Sequence, residues 1–345
     1  MIGDQQPAWR RGSLESEHIM DTYLAGDIGG TKSLLGLFTA EGGPRAPVRA
    51  ASVATSSYTS AEALVGEFLD GQPVDGGMLA IAGPVVGART PGSTLPWDIE
   101  HEPLLAAVNG PLELMNDLEA TATFVPHLND GEIEMLHDVP ASSNGAIGVI
   151  APGTGIGEAL LVRTAAGCVA VASEAGHIDF APNDELQTEY LVFLRKRFGH
   201  VSLERACSGS SMALLYEFLS GSGRVVANSD IAAAVADAGD ATPIILQSGL
   251  SDACPVCALA LDTFVAMLGA AAGNLALQIV ATGGIYLGGG IPPRILPALR
   301  RPVFLDAFTG KGRFKQLLRQ IPVGVILEPR AAFFGAAWRA LSAAG

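Results

Sequence analysis

The chain contains 345 residues, of which 49% are hydrophobic, and its formal net charge is −14 at pH 7. A chain of this length can bury two domain-sized hydrophobic cores. The negative charge argues against a general binder of nucleic acids or anionic membranes, because the field of the whole protein repels phosphate groups. An anionic ligand would therefore have to be held locally.

The beginning of the chain differs from the rest in composition. Residues 1–20 mix both signs of charge with Pro, Gly and Ser and lack the apolar segment of a secretory signal. We expect them to form a disordered extension, and we expect a cytoplasmic protein. The most apolar later segment, residues 264–291, is interrupted by glycines, which favours a buried helix and a buried strand over a membrane span.

The four cysteines give no regular disulfide framework for a chain of this length. The spacing CPVC, from Cys254 to Cys257, allows a metal site. A structural zinc ion needs four ligands, however, and the sequence has no second Cys pair and no histidine after His200. The start of a helix is therefore the preferred interpretation.

Short apolar runs alternate along the chain with longer segments of helical period, which is typical of an α/β protein. The predicted strands are residues 23–28, 33–38, 78–82, 112–115, 147–150, 159–162, 285–287 and 323–327. The predicted helices are residues 61–69, 185–198, 210–219, 262–280 and 331–341.

Two segments repeat one pattern. The sequence GDIGGTKSLLGLF, beginning at Gly26, recurs in form as IAPGTGIGEALLV, beginning at Ile150. Each predicts a strand, a glycine-rich turn and a second strand. Two such hairpins, one domain length apart, indicate that the two halves of the chain share a plan.

The glycine-rich turns suit an anion. Glycine permits positive φ and lets backbone N–H groups approach a phosphate, and we expect both at five positions: Gly29, Gly30, Gly153, Gly155 and Gly157. Thr31 and Thr154 add hydroxyl donors, and Asp27 is placed to hold a hydrated divalent cation. For either turn alone, an ordinary hairpin is an equally good interpretation. Neither turn has the spacing of a P-loop or of a dinucleotide-binding motif.

A third glycine-rich segment, ATGGIYLGGGIPPRILPAL, runs from a predicted strand through Gly288, Gly289 and Gly290 into a helix that begins near Pro292 or Pro293. Proline is favoured at the first helical position, and bare backbone before a helix lets a flat ring or a phosphate lie close. This arrangement suits an adenosine group.

Polar residues gather at three other places. LELMNDLEATA puts Asn116 and Asp117 where a strand ends and a helix begins, which is a usual place for functional groups, although a helix cap explains them equally well. SEAGHIDFAP carries Glu174 and His177, and SLERACSG carries Glu204. Together these side chains suit several hydroxyl groups of a sugar.

Taken in order, these segments resemble the bacterial glucokinases, ATP-dependent hexose kinases of the sugar-kinase, actin and heat-shock-chaperone ATPase superfamily. The resemblance extends from Leu24 to about Trp338 and includes GDIGGTK, LPW, NDLEA, PGTGIG, SEAGHIDFAP, HVSLERACSG, GNLAL, GGIYLGGGIPPRIL, KGRF and FFGAAW. It implies a two-domain actin-like ATPase fold of the ribonuclease H type with duplicated mixed sheets. The small domain would comprise residues 21–127 plus 322–345 and the large domain residues 128–321, and the protein would be a homodimer.

The resemblance also implies roles for individual residues. Asp117 would be the general base that takes the proton of the sugar 6-hydroxyl as it attacks the γ-phosphoryl group of ATP. Residues that would hold the other hydroxyls are Asn116, Glu174, His177 and Glu204. The nucleotide and its Mg²⁺ would be bound by Gly26, Asp27, Ile28, Gly29, Gly30, Thr31, Thr154, Gly155, Gly289 and Gly290, with Asp27 holding the ion through water.

Three positions depart from the pattern of the resembled family. Thr94 stands where many members have Asn before LPW, and Ala175 stands where EGGH is common. Ser210 and Ser211 belong to SGSSM, which replaces the common SGPGL. Two alternatives stay open, a kinase for another hexose such as mannose or glucosamine and a non-enzymatic sugar sensor. A sensor would need a DNA-binding module, for which the N-terminal segment is short. The related repressor and sugar-kinase family is disfavoured because its zinc-binding Cys signature is absent.

Overall fold

The computed structural model describes residues 21–86, 90, 95–108, 110–165 and 167–343. The expected N-terminal extension and Thr94 lie outside these residues. The chain divides into two units, unit 1 comprising Met1–Phe124 with Arg330–Gly345 and unit 2 comprising Val125–Pro329.

The described residues form two sheets and a set of helices. The strands are β1 Thr22–Ile28, β2 Lys32–Thr39, β3 Arg49–Ala54, β4 Gly76–Ile81, β5 Leu112–Asn116, β6 Ile133–His137, β7 Ile147–Pro152, β8 Ile156–Thr164, β9 Gly167–Ser173, β10 Gly284–Leu287 and β11 Val323–Ile326. The α-helices are α1 Ala61–Leu69, α2 His101–Val108, α3 Asp117–Phe124, α4 Glu185–Phe198, α5 Leu203–Ala206, α6 Met212–Gly221, α7 Ser229–Asp237, α8 Thr242–Leu250, α9 Pro255–Ile279, α10 Leu296–Leu299, α11 Pro302–Thr309, α12 Lys315–Leu318 and α13 Ala331–Ser342.

Unit 1 contains a five-stranded sheet of order β3-β2-β1-β4-β5. The first three strands pair antiparallel, and β4 and β5 continue the sheet in parallel with β1. Helices α3 and α13 cross so closely that a Cβ on Gly335 would lie 1.9 Å from the carbonyl oxygen of Ala120. The motif FFGAAW therefore has a packing role, because only glycine permits this approach.

Unit 2 contains a six-stranded sheet of order β6-β11-β10-β7-β8-β9. Strands β7, β8 and β9 pair antiparallel, and β10 and β11 continue in parallel with β7, so the plan of the first sheet recurs with β6 added antiparallel at one edge. The predicted duplication of mixed sheets is therefore confirmed. It follows from the repeated hairpin that opens each half.

The core of unit 2 is organised around α9. This helix of 25 residues is long and apolar enough to span a membrane, but 78% of its most apolar window is buried inside the protein, as the sequence predicted for this segment. It begins at the CPVC motif, with Cys254 as its N-cap and Cys257 buried in its first turn. Among the described residues, no group of three or more His, Cys, Asp or Glu side chains could hold a metal ion.

The unit boundaries differ from those expected. The division falls after Phe124 and after Pro329 rather than after residues 127 and 321. The second difference has a clear cause: β11 pairs with β10 in the sheet of unit 2, so the chain returns to unit 1 only after that strand. The small domain therefore ends in α13 alone, without the preceding strand.

Candidate active site

The turn of the first hairpin is braced from one side. The N–H of Gly29 donates to the carbonyl oxygen of Lys32 at 3.1 Å. The buried Thr55 donates its hydroxyl to the carbonyl oxygen of Gly29 at 2.6 Å, and its N–H donates to the carbonyl oxygen of Thr31 at 3.0 Å. Thr55 thus fixes the position of Gly29, Gly30 and Thr31. This role of Thr55 could not be predicted from the motif, because Thr55 lies far from it along the chain.

Two of the residues expected at the nucleotide pack within the core of unit 1. The side chain of Ile28 is fully buried, and a Cβ on Gly26 would lie 2.6 Å from Leu35 and 2.7 Å from Leu79. The backbone of Gly26 and the side chain of Ile28 are therefore constrained by packing within the sheet. The expectation of positive φ at the five turn glycines is also wrong, since none of them adopts it. What these glycines contribute is the absence of a Cβ.

The pKa of Asp27, in unit 1, is strongly shifted. Burial raises its pKa to about 7, and the nearby carboxylate of Asp117 adds to the increase by repulsion. Ionisation of one carboxyl group raises the free energy needed to ionise a second one nearby. The end of β1 and the start of α3 therefore bring together the two carboxyl groups that the sequence singled out.

Asn116 caps α3, which separates its role from that of Asp117. The Oδ1 of Asn116 accepts the N–H groups of Leu118 at 2.9 Å and Glu119 at 3.2 Å, and Glu119 accepts the N–H of Asn116 at 3.4 Å. This is a reciprocal capping box. The Nδ2 of Asn116 also donates to the carbonyl oxygen of Gly83 at 3.0 Å. Asp117 occupies the first helical position and accepts the N–H of Leu118 at 2.9 Å.

The turn of the second hairpin, in unit 2, is tied to two other glycine-containing segments. The N–H of Gly209 donates to the carbonyl oxygen of Gly153 at 2.8 Å, and the N–H of Ser210 donates to that of Thr154 at 3.0 Å. A Cβ on Gly289, whose φ is +80°, would lie 2.6 Å from the carbonyl oxygen of Pro152. Three segments distant in sequence therefore meet with bare backbone.

A pocket of about 1080 Å³ opens where these segments meet. Its wall includes Thr154 and Gly290, as the sequence predicted, and no atom lies within 4 Å of the Cβ positions of Gly153 and Gly290. Both glycines therefore present open backbone. The remaining wall includes residues that the motifs did not indicate, among them Ser210, Asp240, Thr242, Leu246 and Arg294. Of these, Arg294 could have been found from its position directly after the GGGIPP segment.

The three expected sugar residues of unit 2 lie on linked segments. The Nε2 of His177 lies 3.8 Å from the Oε2 of Glu174, and both side chains are exposed. Glu204 accepts the N–H of Ile156 at 3.3 Å. A Cβ on Gly155 would lie 2.2 Å from the Oε2 of Glu204, so glycine at this position lets the carboxylate approach the turn.

Two of the three departures have a structural account. Ala175 does not have a positive φ, so its methyl group causes no backbone strain. Ser210 stands where the resembled pattern has proline, and its N–H forms the bond to Thr154 that proline could not form. The hydroxyl of the buried Ser211 donates to the carbonyl oxygen of Ser208 at 2.8 Å. Thr94 lies outside the described residues.

The predicted residues thus form one set in each unit. Unit 1 carries Asp27, Gly29, Gly30, Thr31, Asn116 and Asp117; unit 2 carries Thr154, Gly155, Glu174, His177, Glu204, Gly289 and Gly290.

Comparison with known proteins shows the family of the chain. The family model for glucokinase matches residues 24–343. A glucokinase from Nitrobacter hamburgensis is 35% identical over 319 residues, covering 91% of this chain and 95% of the relative, and one from Caulobacter vibrioides is 32% identical over 331 residues, covering 94% and 96%. The crystal structure of a glucokinase from an Antarctic psychrotroph has a TM-score of 0.78 and 32% identity, covering 93% of this chain and 99% of that one.

A more distant structure shares the fold. The glucokinase from Balamuthia mandrillaris, solved with glucose, has a TM-score of 0.77 at 21% identity and covers 93% of each chain. The fold and the site define an ATP-dependent sugar kinase with an actin-like ATPase fold. Within that class, the chain belongs to the glucokinase family.

Proposed function

We propose that this enzyme transfers the γ-phosphoryl group of ATP to the 6-hydroxyl of glucose, with Asp117 as the general base. The observation that carries the proposal is the register of the first sheet, in which Ile28 lies beside Ile81 and Ile81 beside Asn116. Asp27 and Asp117 therefore lie at one edge of this sheet, where the charge of Asp117 adds to the raised pKa of Asp27. As the bond from the sugar O6 to phosphorus forms, the bond from phosphorus to the oxygen of ADP breaks, and Asp117 accepts the O6 proton.

The sugar would be held by residues that already make fixed contacts. The amide of Asn116 has one N–H left after its bond to Gly83, and this group can donate to a hydroxyl. Glu204 is held at the turn by the N–H of Ile156, and the exposed side chains of Glu174 and His177 can bond to further hydroxyls. Such positioning lowers the barrier by fixing the 6-hydroxyl for attack.

The nucleotide would occupy the pocket of unit 2 lined by Gly153, Thr154, Gly290 and Arg294. Gly290 offers open backbone to the adenosine group, with Gly289 packed beside it against Pro152, and Thr154 and Gly155 would bind phosphate oxygens. We propose a phosphate-binding role for Gly29, Gly30 and Thr31 of the first hairpin as well. Backbone N–H groups in such turns carry partial positive charge, so they stabilise phosphate without a basic side chain.

The donor set fits a Mg²⁺ ion that arrives with the nucleotide. Magnesium prefers oxygen ligands and keeps several waters, and the described residues hold no protein cage for a metal. Asp27 would hold the ion through water, and a nearby cation would offset the repulsion that raises the pKa of Asp27. When bound, the ion would neutralise charge that develops on the transferred phosphoryl group.

We expect the enzyme to act in the cytoplasm, where ATP is available, and to form a homodimer. An assay of sugar phosphate formation tests the central proposal across a panel of glucose, mannose, glucosamine and 6-deoxyglucose, with inorganic polyphosphate as a second donor. Glucose with ATP should give the highest kcat/KM, and 6-deoxyglucose, which lacks the accepting hydroxyl, should give no turnover. A preference for mannose or glucosamine would indicate that the enzyme is a kinase for that hexose and not for glucose. Sugar binding without turnover would favour a sensor.

A further inference from the structure

Glu158, on β8 of unit 2, is a buried acid that the proposed mechanism does not use. It is 3% exposed, and it lines a small cavity in which burial, rather than a neighbouring charge, is the cause of its raised pKa. Its strand neighbours are Ile150 on β7 and Ser173 on β9. A buried carboxylate without a partner is costly, because the ionised form loses its hydration.

The side chain lines a small cavity of about 30 Å³. Much of the wall is apolar, including Phe180, Leu203 and Met267, and the polar groups of Asp179, Asn274 and Gln278 complete it. A volume of this size can hold a water molecule. The apolar part of the wall cannot replace the hydration of a carboxylate, so the carboxyl group is better accommodated in its protonated form.

The cavity lies directly behind the residues proposed to bind the sugar. Two of its lining residues adjoin those residues in sequence: Ile178 follows His177, and Leu203 precedes Glu204. Glu158 itself pairs with Ser173, which precedes Glu174. The N–H of Leu203 donates to the carbonyl oxygen of Ile178 at 2.9 Å, so the two sugar-binding segments are joined across the cavity wall. A change inside the cavity therefore acts on both at once.

The charged groups around the cavity leave the burial of Glu158 uncompensated. Asp179 lines it and pairs with His200 at 2.9 Å. From the α9 side, Lys311 donates to the Oδ1 of Asn274 at 2.7 Å, and burial lowers the pKa of Lys311. The strand neighbours on β7 and β9 are uncharged. Burial raises the pKa of Glu158 to about 7, so both of its forms are populated near neutral pH.

We infer that Glu158 is a positioning residue for sugar binding: its uncharged form lets the cavity wall pack against the segments that carry Glu174, His177 and Glu204, and its ionisation draws water into the cavity, loosens this packing and weakens glucose binding. This inference rests on the proposed roles of those three residues. It makes glucose affinity sensitive to pH through a group that does not touch the sugar.

The test is calorimetric titration of glucose into the wild type and Glu158→Gln, from about pH 6 to about pH 8.5. The glucose Kd of the wild type should rise by about threefold or more over this range, while that of Glu158→Gln stays low. The Kd of a non-hydrolysable ATP analogue should be unaffected by the substitution. Glu102→Gln, which removes an exposed carboxylate on α2, is the matched control and should follow the wild type.

Thermal unfolding gives a second readout. A carboxyl group with a raised pKa in the folded state stabilises the fold at low pH and loses this contribution as pH rises through about 7. Glu158→Gln should therefore melt higher than the wild type at about pH 8 and close to it at about pH 5. If Glu158→Gln folds poorly, both measurements can be repeated with Glu158→Met, which is also uncharged.

Identical pH profiles of glucose Kd in the wild type and the uncharged variants would overturn the inference. So would an equal shift of the analogue Kd, since that would indicate a general loss of structure. Absence of glucose binding at any pH would defeat the proposed function as well, whereas pH-dependent binding without turnover would leave this inference standing.

Discussion

At the scale of single residues, Asn116 and Asp117 are adjacent in sequence but differ in what they bond. The cap of α3 is formed by Asn116 with Glu119, so the stability of the helix start depends on Asn116. Asp117 adds a carboxylate at the first helical position, where the helix dipole favours negative charge.

Replacement of Asp117 by Asn should reduce kcat by about 10²- to 10⁴-fold, because the amide cannot accept the 6-hydroxyl proton. The glucose KM should change much less, and the melting temperature should not fall, since Asn116 still caps the helix. Steady-state kinetics with thermal unfolding measure all three quantities. Glu204→Gln is the control and should raise the glucose KM more than it lowers kcat. Near-normal turnover in Asp117→Asn would remove the assignment of the base.

The raised pKa of Asp27 predicts that its replacement by Asn increases stability at high pH and reduces kinase activity. Its pKa is raised to about 7, so its contribution to stability is complete below the unfolded value and is lost as pH rises to about 7. Asp27→Asn should therefore melt higher than the wild type at about pH 8, with little difference at about pH 4, and should lose most of its kinase activity. Asp117→Asn should share part of the gain, because it removes the repelling charge. Asp130→Asn, at an exposed acid, should show neither effect. A lower melting temperature for Asp27→Asn at high pH would contradict this account.

At the scale of elements, two glycines of the β7–β8 turn lie beside different proposed sites: Gly155 beside the sugar residue Glu204 and Gly153 beside the nucleotide pocket. Gly155→Ala should raise the glucose KM, because its Cβ would lie 2.2 Å from the Oε2 of Glu204 and would displace that carboxylate. The melting temperature should change little, since the side chain can move away. Gly153→Ala is the comparison: its Cβ meets no protein atom within 4 Å but enters the nucleotide pocket, so the ATP KM should rise instead. If both variants affected the same substrate, this division of the turn would be wrong.

The crossing of α3 and α13 depends on one glycine. Gly335→Ala should lower the free energy of unfolding by about 2–3 kcal/mol, because its Cβ would meet the backbone of Ala120 and the helices would have to separate. Gly66→Ala, in α1, offers a matched control with no atom within 4 Å, and should raise that free energy by about 0.5–1 kcal/mol. Urea unfolding compares the two. Equal effects would mean that helix propensity, rather than the close crossing, decides stability at position 335.

Edge strands show where prediction from sequence stopped. The eight predicted strands are present, whereas β3, β6 and β9, which lie at sheet edges, were missed. Their side chains are partly or largely exposed, so they lack the continuous apolar runs that identify buried strands. The short helices α2, α5, α7, α8, α11 and α12 were missed for a related reason, since one or two turns give little periodicity to detect.

At the scale of the whole molecule, the repeated hairpin sufficed to predict two sheets of one plan, because a strand, turn and strand with the same glycines requires the same local geometry. The ligand-binding roles that the motifs indicate at the two glycine-rich turns stay predictions. What the motifs could not predict are contacts made across the sequence, such as Thr55 under the first turn, Ser210 beside the second, and the cavity behind Glu158. These depend on tertiary packing, which leaves no periodic signal.

The position of α13 in the chain also determines the order in which the protein can be completed on the ribosome. Unit 2 is one uninterrupted segment, Val125–Pro329, whereas unit 1 needs a helix that is synthesised after it. At usual rates of synthesis this separation amounts to roughly 10–40 s. Throughout that interval the nascent first sheet lacks the helix that carries Phe333, the residue against which Gly36 packs. The newly made chain must therefore keep an apolar sheet face out of contact with other chains while unit 2 is still emerging.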